Sequence, residues 1–278
     1  MRPLCLLIIL FELSGPIFGQ SGIRDSFPDP YHVKPWLSLS LTAGAFLAQP
    51  IGLERNNRKP EISNETLENL VRKGVHGFDH IGLTQDLSKR KRAGKLSDYG
   101  MIFGVFSPAL LFLDRKCRHN WLDFIIMHGE AQALAATLHT WGPFGPLVID
   151  RYRPVVYYED APLNERNFGA LRNSFFSGHT SVVATGTFLT AQIYLDHHPE
   201  LKGQKWIFYG LATLPPAWVA ILRVKALRHF PTDTVIGGIT GAATGLLIPW
   251  IHRKMQGRMN FSLIYGEETK GMGMILRF

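Results

Sequence analysis

The sequence is poor in cysteine and in charged residues. Its 278 residues include two cysteines, Cys5 and Cys117, too few for a disulfide scaffold or a cysteine-rich zinc module. Charged residues make up 19% and hydrophobic residues 46%. Soluble globular chains usually carry roughly 25% charged residues. This composition excludes a disordered protein and a coiled coil.

Acidic residues are also outnumbered by basic ones, 22 to 30, which gives a formal net charge of +8. Such a balance suits a nucleic-acid partner, an anionic membrane surface, or a membrane protein with basic cytoplasmic loops. The basic residues flank apolar segments in short loops and form no stripe interleaved with exposed aromatics. We therefore set nucleic-acid binding aside.

Five long segments contain no Lys, Arg, Asp or Glu: residues 99–113, 131–149, 173–195, 206–222 and 234–251. A membrane helix needs about 20 mostly apolar residues, with roughly 17 as the lower limit, and four segments reach it. Pro143 and Pro146 interrupt the second segment, so we expect its helix to begin earlier, within residues 121–127. Buried helices of a soluble all-α protein are the alternative, which five such segments argue against. The sequence predicts an all-α polytopic membrane bundle of five to six transmembrane helices.

The N-terminal residues 1–19 resemble an export signal, with Arg2, an apolar run over 4–11, and a small residue, Gly19, at the expected cleavage point. An uncleaved anchor is the alternative. We predict an N-terminal extramembrane region over 20–96, with a possible membrane segment at 36–53. A helical core over 97–252 and a cytoplasmic tail over 253–278, containing a hairpin, follow.

Charge in the short loops predicts the orientation. Basic residues cluster at 115–118, 202–205 and 253–258, which the positive-inside rule places together in the cytoplasm. The loops 149–173 and 222–234, and the region 54–95, then face outward. A cleaved signal would leave the new N-terminus outside, so segment 36–53 could not cross. Either it lies at the outer interface, or the signal stays as an anchor.

Glycine recurs every fourth residue in the last apolar segment, at Gly237, Gly241 and Gly245. This spacing places the three on one helix face, where small residues let helix backbones approach closely in lipid. We interpret the stripe as a packing surface.

Three clusters of chemically active residues lie at the outward ends of apolar segments. They are Arg151 with Arg153-Pro154, then Ser177-Gly178-His179, and then Arg223, His229 and Asp233. Arginine presents a planar fork of donors to phosphate oxygens, and the amides of a helix start favour an anion. His229 and Asp233 are four residues apart, so a helix that began early enough would let the carboxylate orient the imidazole.

Each cluster alone has an ordinary structural explanation, such as an arginine that anchors a helix at the membrane surface or an unremarkable helix start. Together they place arginines and histidines at one membrane face, which is costly unless these groups have partners or a ligand. We therefore favour a shared phosphate site.

The three clusters resemble the signature of the type-2 phosphatidic acid phosphatase superfamily. That signature is Lys-x6-Arg-Pro, Pro-Ser-Gly-His and Ser-Arg-x5-His-x3-Asp. Here Arg153-Pro154, Ser177-Gly178-His179 and Arg223-x5-His229-x3-Asp233 match in order and spacing. The resemblance implies the family's helical core over roughly 97–252 and no metal or other cofactor.

The same resemblance implies a role for each matching residue. Arg153, Arg223, the Ser177 hydroxyl and the Gly178 amide would hold the phosphoryl group. His229 would attack phosphorus, oriented by Asp233, and His179 would protonate the leaving group. His128-Gly129-Glu130 is no metalloprotease motif, and we interpret it as structural.

Three positions depart from the signature: Leu222 replaces serine, Phe176 replaces proline, and Pro146 stands at the lysine position. The last change removes a cation, and a lost charge-assisted contact costs about 1.5–3 kcal/mol. Arg151 is either a compensating phosphate ligand or an interfacial anchor.

The leading hypothesis is a membrane phosphatase of the bacterial inner membrane, with its site facing the periplasm. It would act on a phospholipid, a polyprenyl diphosphate or lipid A. One alternative is a weakly active or non-catalytic lipid-phosphate binder, motivated by Pro146. Another is an oxidase similar to the vanadium haloperoxidases, which membrane helices argue against.

Overall fold

The computed structural model describes residues 29–70, 75, 77–254, 259–265 and 270–276. The predicted signal at 1–19 lies outside them. The helices are α1 Pro35–Asn57, α2 Asn64–Glu68, α3 Arg90–Phe106, α4 Arg115–His119, α5 Trp121–Trp141, α6 Gly178–His197, α7 Lys205–Lys225 and α8 Pro231–Lys254. Short 3-10 segments connect them, at Gly77–Leu83, Leu87–Lys89, Ser107–Leu113, Pro154–Tyr157, Leu163–Glu165, Gly169–Arg172 and Pro199–Gln204. Strands β1 Met259–Tyr265 and β2 Lys270–Leu276 follow.

Helix α6 is the centre of the bundle and packs against α3, α5, α7 and α8. Within the described part of the chain, four segments are long and apolar enough to cross a membrane by themselves: Pro35–Asn57, Leu87–Leu113, Pro199–Lys225 and Pro231–Lys254. Helices α5 and α6 have 21 and 20 residues, which also suffices for a crossing. The predicted helical membrane bundle is confirmed.

Helix boundaries follow the local breakers. Helix α5 begins at Trp121, within the predicted early start, and ends at Trp141, before Pro143 and Pro146. Helix α6 begins at Gly178, later than the apolar segment does, because the Ser177 hydroxyl accepts from the Thr180 amide and caps the first turn.

Helix α1 runs parallel to α5 through the bundle. At its start, Tyr31 donates to the Asp196 carboxylate at 2.8 Å, beside the end of α6. Near its end, Gln49 lies 3.4 Å from the Thr137 hydroxyl, and Gly52 packs on Thr140. Helix α1 therefore extends along the bundle from one end to the other. How segment 36–53 lies in the membrane remains a prediction.

The glycine stripe is where α8 meets α6. A Cβ atom on Gly237, Gly241 or Gly245 would collide with a backbone carbonyl of α6 or its cap. The partners are the carbonyls of Ser177, Ser181 and Thr185. The predicted packing role is confirmed, and the close approach fixes Ser177 against the first turns of α8.

The predicted hairpin in the tail is also confirmed, because β1 and β2 pair antiparallel with Met259 opposite Leu276. The basic loops meet at one end of the bundle. There Lys116 bonds Glu200 at 2.9 Å, and Arg253 pairs with Asp196. The three signature clusters lie at the opposite end.

Candidate active site

His229 lies in the loop between α7 and α8 and is buried. Its Nδ1 contacts the Ser174 carbonyl oxygen at 2.6 Å. Because a carbonyl can only accept, Nδ1 carries the proton and Nε2 keeps its lone pair. Burial, followed by the nearby charges of Arg223 and Arg153, holds the pKa of His229 well below its ordinary value of 6.5. The ring is therefore a neutral imidazole with a free nucleophilic nitrogen.

Asp233 is close to His229 in sequence but does not orient it directly. Its carboxylate accepts from the Ser174 hydroxyl at 2.6 Å and from the Phe230 amide at 2.8 Å. Helix α8 begins only at Pro231, so His229 precedes it and the two side chains do not share a helix face. The expectation that Asp233 holds the imidazole is corrected: Ser174 stands between them.

Arg151 is held by two carboxylates. Its guanidinium pairs with Asp233, and its second terminal nitrogen lies 2.6 Å from Asp79. Asp79 also accepts from the Thr232 amide at 2.9 Å, in the first turn of α8. Arg151 is thus committed to Asp233 and Asp79 through both of its terminal nitrogens. This corrects the expectation that it could bind phosphate in place of the motif lysine.

Arg153 and Arg223 line one cavity of about 690 Å³ together with His179. Arg223 reaches the Ser97 hydroxyl at 3.2 Å. Nevertheless, the Nε atoms of both arginines are buried without a hydrogen-bond partner among the residues described. Burial and the positive charges of Arg228 and Arg223 lower the pKa of Arg153 to about 9. An anion in the cavity would satisfy these donors and relieve this repulsion.

His179 projects into the same cavity from the first turn of α6. Its Nε2 lies 3.1 Å from the Asp98 carboxylate, which also lies 3.5 Å from Arg223. The Asp98 carboxylate is therefore placed to accept a hydrogen bond from the His179 ring.

Ser177 and Gly178 form the start of α6. The Ser177 hydroxyl is buried and contacts the Thr180 hydroxyl at 3.0 Å, so its observed bonds cap the helix. Gly178 faces the His139 ring, which a Cβ atom would meet at 3.2 Å. As the first helical residue, Gly178 has an amide without an intrahelical acceptor. A role for that amide in phosphate binding remains a prediction.

The motif lysine has no counterpart at its own position. Pro146 is buried, and its carbonyl accepts from the Lys59 ammonium at 2.5 Å. Lys59 also lies 3.6 Å from Asp150, and it does not line the cavity. Arg228 lines the cavity with Arg153 and Arg223 and could supply the positive charge that the motif lysine would bring.

Two comparisons with known proteins give a match. Residues 124–256 match the family model of the PAP2 superfamily. This region belongs to the PAP2 superfamily. The chain is also similar to the crystal structure of a transmembrane PAP2-type phosphatidylglycerolphosphate phosphatase from Bacillus subtilis. Identity is 21%, over 79% of this chain and 96% of that chain, with a TM-score of 0.40. A comparison with curated proteins gives no match.

The PAP2 region contains all three signature clusters, but part of the site comes from the chain before it. Asp98 lies on α3 and Asp79 in the 3-10 segment Gly77–Leu83. Neither was identified from the sequence, although a carboxylate at the outer end of an apolar helix was a usable signal for Asp98. Ser174 carried no such signal, because its role depends on a main-chain carbonyl.

One group of described residues has metal-ligand atoms close together. Donor atoms of Asp114, Cys117 and His198 lie within 4.8 Å of one another. The group is beside Lys116, at the end of the bundle opposite His229. The group is too remote to serve the cavity lined by Arg153, Arg223 and His179. Metal independence of that cavity remains a prediction.

Proposed function

We propose that the chain is a membrane phosphatase that hydrolyses a lipid phosphate or diphosphate through a phosphohistidine on His229. The observation that carries this proposal is a pair of cavity-lining arginines, Arg153 and Arg223, whose buried Nε atoms have no partner among the described residues and whose charges act on the buried imidazole of His229. The arginines supply phosphate recognition, and the imidazole supplies a nucleophile.

In the first step, His229 Nε2 forms a bond to phosphorus while the phosphorus–oxygen bond to the leaving group breaks. His179 donates its proton to that oxygen. Arg153 and Arg223 stabilise the charge on the transferring phosphoryl group. Because Nδ1 donates to Ser174, positive charge that develops on the imidazole is shared with a fixed main-chain acceptor.

In the second step, water attacks phosphorus and the nitrogen–phosphorus bond breaks. His179, now neutral, accepts a proton from that water, and His229 returns to its starting form. His179 provides the proton transfers of both steps. The cycle requires no metal ion.

A lipid substrate is supported by a second, apolar cavity of about 600 Å³ between α7 and α8. Pro231 and Thr234, in the first turn of α8, line it at the level of the catalytic residues. An acyl or prenyl chain in this groove would stay in the membrane while its phosphate reached the arginines.

We further propose that the site faces the periplasm of a bacterial inner membrane, because the basic loops lie at the other end of the bundle. Single cysteines at Asp160 and Lys202, both exposed, test this in a cysteine-free background. A membrane-impermeant maleimide should label D160C and spare K202C in intact spheroplasts. The reverse pattern would overturn the orientation.

Phosphate release by the detergent-purified protein tests the reaction. The substrates are phosphatidic acid, phosphatidylglycerol phosphate, undecaprenyl diphosphate and lipid A, each with and without EDTA. Turnover should survive EDTA, vanish in His229→Ala and persist in His80→Ala, an exposed histidine on the same face. Loss of turnover in EDTA would contradict the metal-free mechanism.

The non-catalytic alternative rests on Pro146 and gives a different outcome. A protein that binds these lipids tightly but releases no phosphate, before and after Pro146→Lys, would be a binder. Halide oxidation with added vanadate would instead support the haloperoxidase-like alternative.

A further inference from the structure

The cavity beside His179 holds more positive charge than one phosphate group balances. Six cationic side chains line it, against two carboxylates. The cations are Arg90, Lys91, Lys95, Arg153, Arg223 and Arg228, and the carboxylates are Asp98 and Glu165. A phosphate monoester carries about −1.5 to −2 charge at pH 7. The cations exceed the carboxylates by four charges. A single bound phosphate therefore leaves roughly half of this excess positive charge unneutralised.

These cations differ in whether a carboxylate pairs with them. Arg90 pairs with Glu165, and Lys91 lies 3.5 Å from the same carboxylate. Arg228 has no carboxylate partner among the ion pairs of the described residues, yet it is close enough to depress the pKa of Arg153. Three arginines that repel one another around a cavity favour more than one negative charge within it.

The backbone turn before His229 places Arg228 at the cavity. Leu227 has a φ of 55°, a left-handed conformation that is unfavourable for leucine. Its side chain is fully buried in the core beside Phe230, while the next side chain, Arg228, is exposed at the cavity. This strained turn thus places an exposed cation at the rim of the cavity.

We propose that Arg228, with Lys95, forms a second anion subsite, and that the substrate is a lipid whose headgroup carries a second phosphate beside the scissile one. This inference rests on the proposed phosphatase function and narrows its substrate. Arg228 would also supply, from the other side of the cavity, the cation that is missing at Pro146.

The reaction balances for a diphosphate. His229 Nε2 bonds to the terminal phosphorus, and the bond between that phosphorus and the bridging oxygen breaks. The His179 proton goes to the bridging oxygen, so the lipid leaves as a monophosphate. Arg228 holds the retained phosphate and stabilises it as a leaving group.

The test compares farnesyl diphosphate with farnesyl monophosphate, which share one chain. The natural protein should show a higher kcat/KM on the diphosphate. Arg228→Met should lower this preference roughly ten- to a hundredfold, and Arg228→Lys should restore part of it. Arg92→Met removes an exposed cation on α3 that lines neither this cavity nor the apolar one, and it should keep the preference. Phosphatidylglycerol phosphate tests whether the phosphates must be adjacent.

Inhibition of farnesyl monophosphate turnover by inorganic pyrophosphate and by inorganic phosphate provides a second readout, in which the competing anions carry no lipid chain. Pyrophosphate should inhibit more strongly, and Arg228→Met should remove that difference. Equal loss on both farnesyl substrates would show that Arg228 acts on the scissile phosphate and would overturn the second subsite. His229-dependent turnover of the monophosphate would still uphold the phosphatase. Without turnover on any substrate the phosphatase proposal fails, and direct pyrophosphate binding decides the subsite separately.

Discussion

Ser174 joins His229 to Asp233 through two different atoms. Its carbonyl accepts from His229 Nδ1 at 2.6 Å, and its hydroxyl donates to the Asp233 carboxylate at 2.6 Å. One residue therefore sets the tautomer of the proposed nucleophile and also anchors the acid that follows it in the signature. The influence of Asp233 on His229 passes through the position of Ser174.

Ser174→Ala removes the hydroxyl and keeps the carbonyl. We expect kcat to fall roughly tenfold, since a buried hydrogen bond to a charged group is lost and Ser174 is less firmly held. KM should change little, because no phosphate ligand is removed. Steady-state kinetics check this, with Ser181→Ala as the control, since the buried Ser181 hydroxyl has no partner in the described structure. A large rise in KM with unchanged kcat would argue against a positioning role.

The substitutions Arg151→Lys and Arg153→Lys should affect kcat and vanadate inhibition differently. Arg151→Lys cannot hold Asp79 and Asp233 together, so kcat should fall while vanadate inhibition stays within about twofold. Arg153→Lys should weaken vanadate inhibition roughly tenfold or more, because Arg153 lines the cavity. Vanadate inhibition constants measured on both variants show which of the two arginines binds the phosphoryl group. Equal weakening by the two substitutions would return Arg151 to the list of phosphate ligands.

The depressed pKa of His229 predicts that its ring stays neutral as the pH falls through 6.5. Titration of histidine Cε1–H resonances by NMR checks this, with the His229 signal assigned by its loss in His229→Gln. An unfolded chain takes up this proton more readily than the folded one. Lowering the pH below 6.5 should therefore also reduce the free energy of unfolding. A His229 midpoint at or above 6.5 would contradict the prediction.

Gly241→Ala should destabilise the bundle, because its Cβ would collide with the Ser181 carbonyl of α6. Overpacking of this kind costs about 1–3 kcal/mol. Gly210→Ala is the matched control, since its Cβ on α7 would meet nothing within 4 Å. Thermal unfolding in detergent should show a lower midpoint only for Gly241→Ala. Equal midpoints for the two variants would mean that α6 and α8 can separate at little cost.

Much of the fold was predictable because it depends on local composition. Charge-free segments, prolines after α5 and a four-residue glycine repeat each predict a feature from the residues themselves. The resemblance of Arg223, His229 and Asp233 to the family signature likewise implied the proposed site residues. The start of α6 was less predictable, because it depends on which polar residue caps the helix.

The sequence alone determined that this is a helical membrane protein with arginines and histidines gathered at one end. Only the tertiary structure decided their partners. It assigned Arg151 to Asp79 and Asp233, His229 to the Ser174 carbonyl, and His179 to Asp98. These contacts join residues up to 82 positions apart, so they depend on how the helices pack. A main-chain carbonyl is common to every residue, and no sequence pattern can single out the one that accepts from His229.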